Sequence, residues 1–208
     1  MSGHSKWATT HRQKAVVDAK RGAAFTKLGN MIAIAARGGT DPTTNSSLAL
    51  AIEKARAANM PNANIQRAID GINDKNAAAL EEAVYEGYGP GGVGIIIETA
   101  TDNKNRTYPE VRTALTKNGG TMADSGSVMF QFARKGVIRV AASGEEALLT
   151  VLDAGAEDAT EEDGGLTVYT DKKELAKVRE ALLATGMTVE DAELQYVPNN
   201  TVAIEDDE

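Results

Sequence analysis

The spacing of apolar residues changes character after Asn76, and that change limits the folds open to this chain. Before it, apolar residues recur three and four apart, as on one face of a helix: Phe25, Leu28, Ile32 and Ala35, then Leu48, Ile52 and Ala55, then Ile65 and Ile69. After it, short apolar and β-branched runs are separated by glycine-rich turns and further helical stretches. A helical first part followed by mixed strands and helices reads as α+β.

Arg37-Gly38-Gly39 closes the first helix with a cation in the last turn and glycine beyond. Its start is set by Gly22. A helix continued back through Gly22 would place Arg21 in the apolar stripe, between Phe25 and Leu28 in projection, and an interior glycine costs about 1 kcal/mol relative to alanine. Residues 1–21 are therefore expected to form a separate arm and residues 22–37 the first firm helix. A second helix is expected over Ser46–Ala58 with Asn45 as N-cap. A third begins at Pro61, which suits a first turn because its missing N–H has no partner there.

In residues 78–134, Glu82–Tyr88 and Val93–Thr101 predict a hairpin around Gly89-Pro90-Gly91-Gly92. Thr107 and Glu110 predict a capping box, with Pro109 in the first turn of a helix that Asn118-Gly119-Gly120 stops. Ser127–Phe132 reads as a strand. This ββαβ order resembles an α/β layer without its final elements. In residues 135–200 the order is Val137–Ala141 strand, Glu145–Asp153 helix, Ala156–Glu161 and Leu166–Thr170 strands, Lys172–Ala184 helix and Thr188–Val197 strand. That is the βαββαβ ferredoxin-like unit. The expectation is three small domains: a basic three-helix domain over 1–72, then two α/β, ferredoxin-like domains over 78–134 and 135–200, and an acidic tail over 201–208. An aromatic content of 4% fits several small cores better than one large one.

The net charge of −8 conceals a partition. Residues 1–67 hold ten Lys/Arg against three acidic residues, a net of +7, and residues 68–208 hold twelve against twenty-seven, a net of −15. A molecule so polarised approaches a polyanion with its basic end.

Other chemistries find little support. The chain has no cysteine, which removes disulfides, thiolate catalysis and cysteine-based zinc sites, and points to a reducing compartment, expected to be the cytoplasm. No apolar run approaches the length of a membrane span, and no signal-peptide core opens the chain. Gly87, Gly89 and Gly92 satisfy G-x-G-x-x-G, but a strand follows where a dinucleotide fingerprint needs a helix, so a hairpin loop is expected. His4 and His11 lie among Lys6, Arg12 and Lys14, without a carboxylate to complete a metal site. Neither a catalytic constellation nor a metal, cofactor or small-molecule substrate is expected.

The strongest functional signal is the basic arm. Lys6, Arg12, Lys14, Lys20, Arg21 and Lys27 are opposed only by Asp18, with Trp7 among them. Cations at this density supply phosphate contacts and counterion release, and an indole offers a face for an exposed base. A solvated basic helix, or one that resembles a targeting segment, is the alternative.

These residues also carry a resemblance. Gly3 to Ala8, Asp18 to Gly22, Phe25 to Leu28, Ala58 to Pro61, Asn64 to Ile69, Tyr85 to Gly92, Thr101 to Asn103, Asn105 to Thr107 and Gly126 to Val128 are similar to the YebC/PmpR family, which includes the mitochondrial translational activators of cytochrome oxidase subunit one. The resemblance covers about residues 1–200. It implies a helical N-terminal domain and two α/β domains. It implies either a DNA-binding transcriptional regulator or a ribosome-associated, RNA-binding factor that assists translation, so the expected partner is DNA, or ribosomal or messenger RNA on the ribosome. Lys6, Trp7, Arg12, Lys14, Lys20, Arg21 and Lys27 are the expected contacts, and Asn103, Asn105 and Arg106 a second contact loop.

Overall fold

A computed structural model describes residues 6–73, 80–162 and 164–201; for residues 6–20 and 73 it describes the backbone alone. Residues 1–81 and 82–208 form two compact units.

In the first unit, α1 (Lys6–Ala36) packs with α2 (Ser46–Ala57) and α3 (Asn62–Asp70). The apolar spacing delivers one core: Leu28, Ile32 and Ala36 of α1 meet Leu48, Ala51, Ile52 and Ala55 of α2, Met60, and Ile65 and Ile69 of α3, with Phe25 packed at the edge. The separate arm expected over residues 1–21 is corrected here. α1 is one helix of 31 residues that runs through Gly22. The conflict posed by Arg21 disappears because the core ends first. Residues 21–24 are exposed, so Arg21 continues the apolar row into solvent.

Asn45 joins two helix ends. Its side-chain oxygen accepts the Leu48 N–H at the start of α2, as the cap signal predicts. Its Nδ2 donates to the Ala35 and Gly39 carbonyls, each at 2.8 Å, at the end of α1. Asn59 follows α2 at φ 59°, and the Met60 N–H closes on the Ala55 carbonyl, a left-handed helix stop that asparagine tolerates. Pro61 is the N-cap residue of α3 rather than part of its first turn.

The second unit holds two sheets. The smaller has strand order β2-β1-β3, from β1 (Glu81–Tyr88), β2 (Gly94–Thr101) and β3 (Thr121–Ala123), with α4 (Lys104–Lys117) between β2 and β3. The G-x-G-x-x-G segment is a hairpin loop, as its context predicts. Gly91 and Gly92 take positive φ, and a Cβ on Gly87 would lie 2.8 Å from the Thr121 carbonyl oxygen of the neighbouring strand. The capping box expected at Thr107 is corrected. α4 starts one turn earlier, because Asn103 accepts the Arg106 N–H and caps it, while the Thr107 hydroxyl bonds Thr101.

The strand expected over Ser127–Phe132 is also corrected. The segment is a loop with a short 3-10 turn at Met129–Gln131. Two of its N–H groups, with that of Gly126 just before it, are drawn to one side chain. Glu86, buried in β1, accepts from Gly126 at 2.6 Å and from Val128 and Met129 at 2.7 Å. Backbone donors committed to a carboxylate are not available to a ladder. The Gly126 N–H holds the Glu86 carboxyl below the usual carboxylate range. Burial opposes this, and the Val128 and Met129 N–H groups add to the lowering.

The larger sheet runs β5-β6-β4-β7, all antiparallel, from β4 (Phe132–Val140), β5 (Asp158–Glu162), β6 (Gly165–Asp171) and β7 (Val189–Pro198). α5 (Glu145–Asp153) and α6 (Leu175–Ala184) complete the βαββαβ order read from the sequence. α6 starts at Leu175 rather than Lys172, because Asp171 first forms a turn that accepts the Lys173 N–H. Ile138, Val140, Leu166 and Val168 are buried with Val151 of α5 and Val178 and Leu182 of α6. Gly136 allows the close approach of α6, since a Cβ there would sit 2.9 Å from that of Leu175.

Candidate nucleic-acid interface

Every cation of the predicted basic arm sits on α1. The side chains of Lys6, Trp7, Arg12, Lys14 and Lys20 lie outside the described residues; those of Arg21 and Lys27 are exposed. Positions 7, 14, 21 and 28 are seven apart, which keeps them in one helical row with a drift of about 20° per step. At Leu28 the row is buried core, and at Arg21 it is solvent. By position, Lys14 and Trp7 extend the same row. From Lys6 to Ala24 the helix spans about 28 Å at 1.5 Å per residue, and five cations occupy that length against Asp18.

The other helices of this unit are quieter. On α3, Gln66 donates to Asp70 and Arg67 donates to Asn64, contacts that run along the helix.

The predicted second contact loop is divided by the structure. Asn103 is used as the cap of α4, and the Arg106 guanidinium pairs with Asp102 at 2.5 Å. Asn105 is exposed and lines an open depression of about 490 Å³ with Glu82, Val84, Tyr85, Lys104 and Tyr108. The aromatic members were missed by sequence reasoning. Tyr108 follows Asn105 by three residues on a helix, a spacing that puts both on one face.

The four-stranded sheet turns its uncovered face the other way electrically. The register sets Thr167, Arg139 and Asp191 in one cross-strand row and Tyr169, Val137 and Glu193 in the next. This is the side away from α6, since neighbouring Gly136 faces Leu175. With Glu162 and Gln195 these residues line a depression of about 370 Å³ in which acids outnumber Arg139. Such a face repels phosphate.

Residues 5–75 match the family model for the TACO1/YebC protein N-terminal domain, and residues 80–208 match the model for the TACO1/YebC second and third domain. The chain belongs to the TACO1/YebC family. Among its relatives, a probable transcriptional regulatory protein of Roseiflexus castenholzii is 51% identical over 97% of this chain and 83% of its own length. One from Moorella thermoacetica is 51% identical over 100% and 85%. The fold agrees with the crystal structure of a conserved hypothetical protein, Aq1575, from Aquifex aeolicus. That structure has a TM-score of 0.84 and 42% identity, and the match covers 92% of this chain and 81% of that one. The family resemblance read from the motifs is thus shown, and with it the α+β architecture.

Proposed function

We propose that this protein is a nucleic-acid-binding regulator of gene expression that engages its target through the N-terminal half of α1. One observation carries the reading: α1 continues past its core at Phe25, and the row that packs the core at Leu28 is occupied beyond it by Arg21, Lys14 and Trp7. Residues 21–24 are exposed, and cations that continue such a row are suited to a polyanion. The relatives' names as probable transcriptional regulatory proteins support a regulatory role. DNA, as in transcriptional control, is the target those names favour. Ribosomal or messenger RNA is the second reading, since exposed cations such as Arg21 and Lys27 can meet the phosphates of either polyanion.

The test is the salt dependence of binding by the full chain, with duplex DNA and single-stranded RNA as probes. Converting Lys14, Lys20, Arg21 and Lys27 to Ala should weaken both. It should flatten the log–log salt slope by about 0.9 per lost phosphate contact on duplex and about 0.7 on single strands. A variant that binds both probes as the parent does would remove the basis of the proposal.

A further inference from the structure

The depression between β1 and the first two turns of α4 has the components of a nucleobase site and lacks those of a phosphate site. Tyr108 is 44% exposed, so part of its ring is open to a ligand. Its ring centroid lies 6.0 Å from that of Tyr85, with the planes tilted by 59°, a contact that holds Tyr108 from one side. Asn105 lies one turn before Tyr108 on the same helix, with its side chain exposed and its amide in no hydrogen bond among the described residues. An amide carries both donors and an acceptor, which is what the edge of a base requires. Pro109, inside α4, has no N–H to give the Asn105 carbonyl. The Tyr85 hydroxyl is buried and has no partner among the described residues, an incomplete arrangement that costs stability. Charge argues against phosphate as the ligand. Lys104 is balanced by Glu82 in the same lining, and Arg106 is held by Asp102.

We propose that this depression receives one unpaired base of an RNA strand, stacked on Tyr108 and hydrogen-bonded by Asn105. The proposal rests on the reading of the protein as a nucleic-acid binder and narrows it. Bases inside a duplex are stacked on one another and cannot reach an aromatic side chain, whereas bases in loops can be splayed onto one. The division of labour is then physical: α1 supplies sequence-independent attraction, and the depression demands an unpaired base.

The experiment uses the full chain and three probes: a hairpin RNA carrying 5-iodouridine in its loop, the same stem closed as a blunt RNA duplex, and free uridine. The parent should bind the loop RNA more tightly than the duplex and cross-link at Tyr108 on irradiation. Tyr108→Ala should weaken loop binding roughly five- to a hundred-fold, leave duplex affinity and the salt slope unchanged, and abolish the cross-link. Tyr108→Phe should bind as the parent does. Asn105→Ala alters an exposed, unbonded side chain, so it repeats the test without disturbing packing, and it should weaken loop binding while leaving the melting temperature unchanged. Shifts of the Asn105 and Tyr108 resonances on adding free uridine would support the site independently of α1. Loop binding unchanged in both alanine variants, or a cross-link confined to other residues, overturns the inference and leaves the α1 reading intact. A parent that binds neither RNA, yet shifts those resonances with uridine, overturns the α1 reading instead. Duplex binding lost together with loop binding in Tyr108→Ala and Asn105→Ala overturns a base-specific role.

Discussion

The Asn45 side-chain amide donates to the Ala35 carbonyl at 2.8 Å while its oxygen caps the next helix, so one side chain fixes the angle at which α2 leaves α1. Asn45→Ala should lose the cap and both amide bonds, at about 2–4 kcal/mol. Asn45→Asp separates the two roles. It keeps an acceptor for the Leu48 N–H but sets a carboxylate against the Ala35 and Gly39 carbonyls. Chemical denaturation should show Asp recovering little of the loss, and full recovery would refute the joint role.

Glu86 should make the β1-β2-β3 sheet sensitive to acid. Its carboxyl is held below the ordinary glutamate value, so its contribution is present above the unfolded-state pKa of about 4.3 and is lost as pH falls through the lower folded value. Glu86→Gln should cost about 1–3 kcal/mol near neutrality. It should also remove that part of the acid sensitivity. Amide exchange at Gly126, Val128 and Met129 reads both effects, and an exchange rate unchanged in the variant would contradict them.

Gly22→Ala discriminates a continuous α1 from a jointed one. A Cβ at this position meets nothing within 4 Å, so the substitution should raise helicity and stabilise the helix by about 0.5–1 kcal/mol. Circular dichroism on the full chain measures it. A loss of helicity would indicate that a turn at Gly22 is required.

Trp7→Ala should leave the salt slope of binding unchanged, because it removes no charge. It should cost about 1–3 kcal/mol on single-stranded RNA if a base stacks on the indole. A changed slope with unchanged affinity would assign Trp7 to positioning the cations instead.

Neutralising the uncovered face of the larger sheet, by Asp191→Asn with Glu193→Gln, should leave nucleic-acid binding intact or slightly tighter. The acids there oppose a polyanion and contribute no contact. Weaker binding in this variant would mean that the face takes part.

What the sequence made legible followed from periodicity and turn chemistry. The three-helix core, the hairpin at Gly89 to Gly92 and the βαββαβ unit each rest on local spacing, and each is present. The errors share a different cause. Gly22 and Arg21 argued locally for a break in α1, but residues 21–24 are exposed, so Arg21 meets no core, and that boundary depends on where α2 and α3 pack. Thr107 and Glu110 form a valid capping pattern, outcompeted by Asn103 one turn upstream. Ser127–Phe132 has strand composition, but its donors answer to Glu86, forty residues away in sequence. At the depression the legible part was Asn105. The partnership of Tyr108 with Tyr85 joins a helix to a strand, which spacing along one element cannot reveal.

The Glu86 contacts also tie the shape of a loop to a strand far from it in sequence. The three N–H groups it receives lie 40, 42 and 43 residues beyond it. The loop over 126–129 therefore takes its shape from Glu86 as well as from local turns such as Ser127 N–H to the Asp124 carbonyl. Pairing of β1 with β3 sets Glu86 opposite Ala123, three residues before Gly126, so the ladder closes most of that span for the loop.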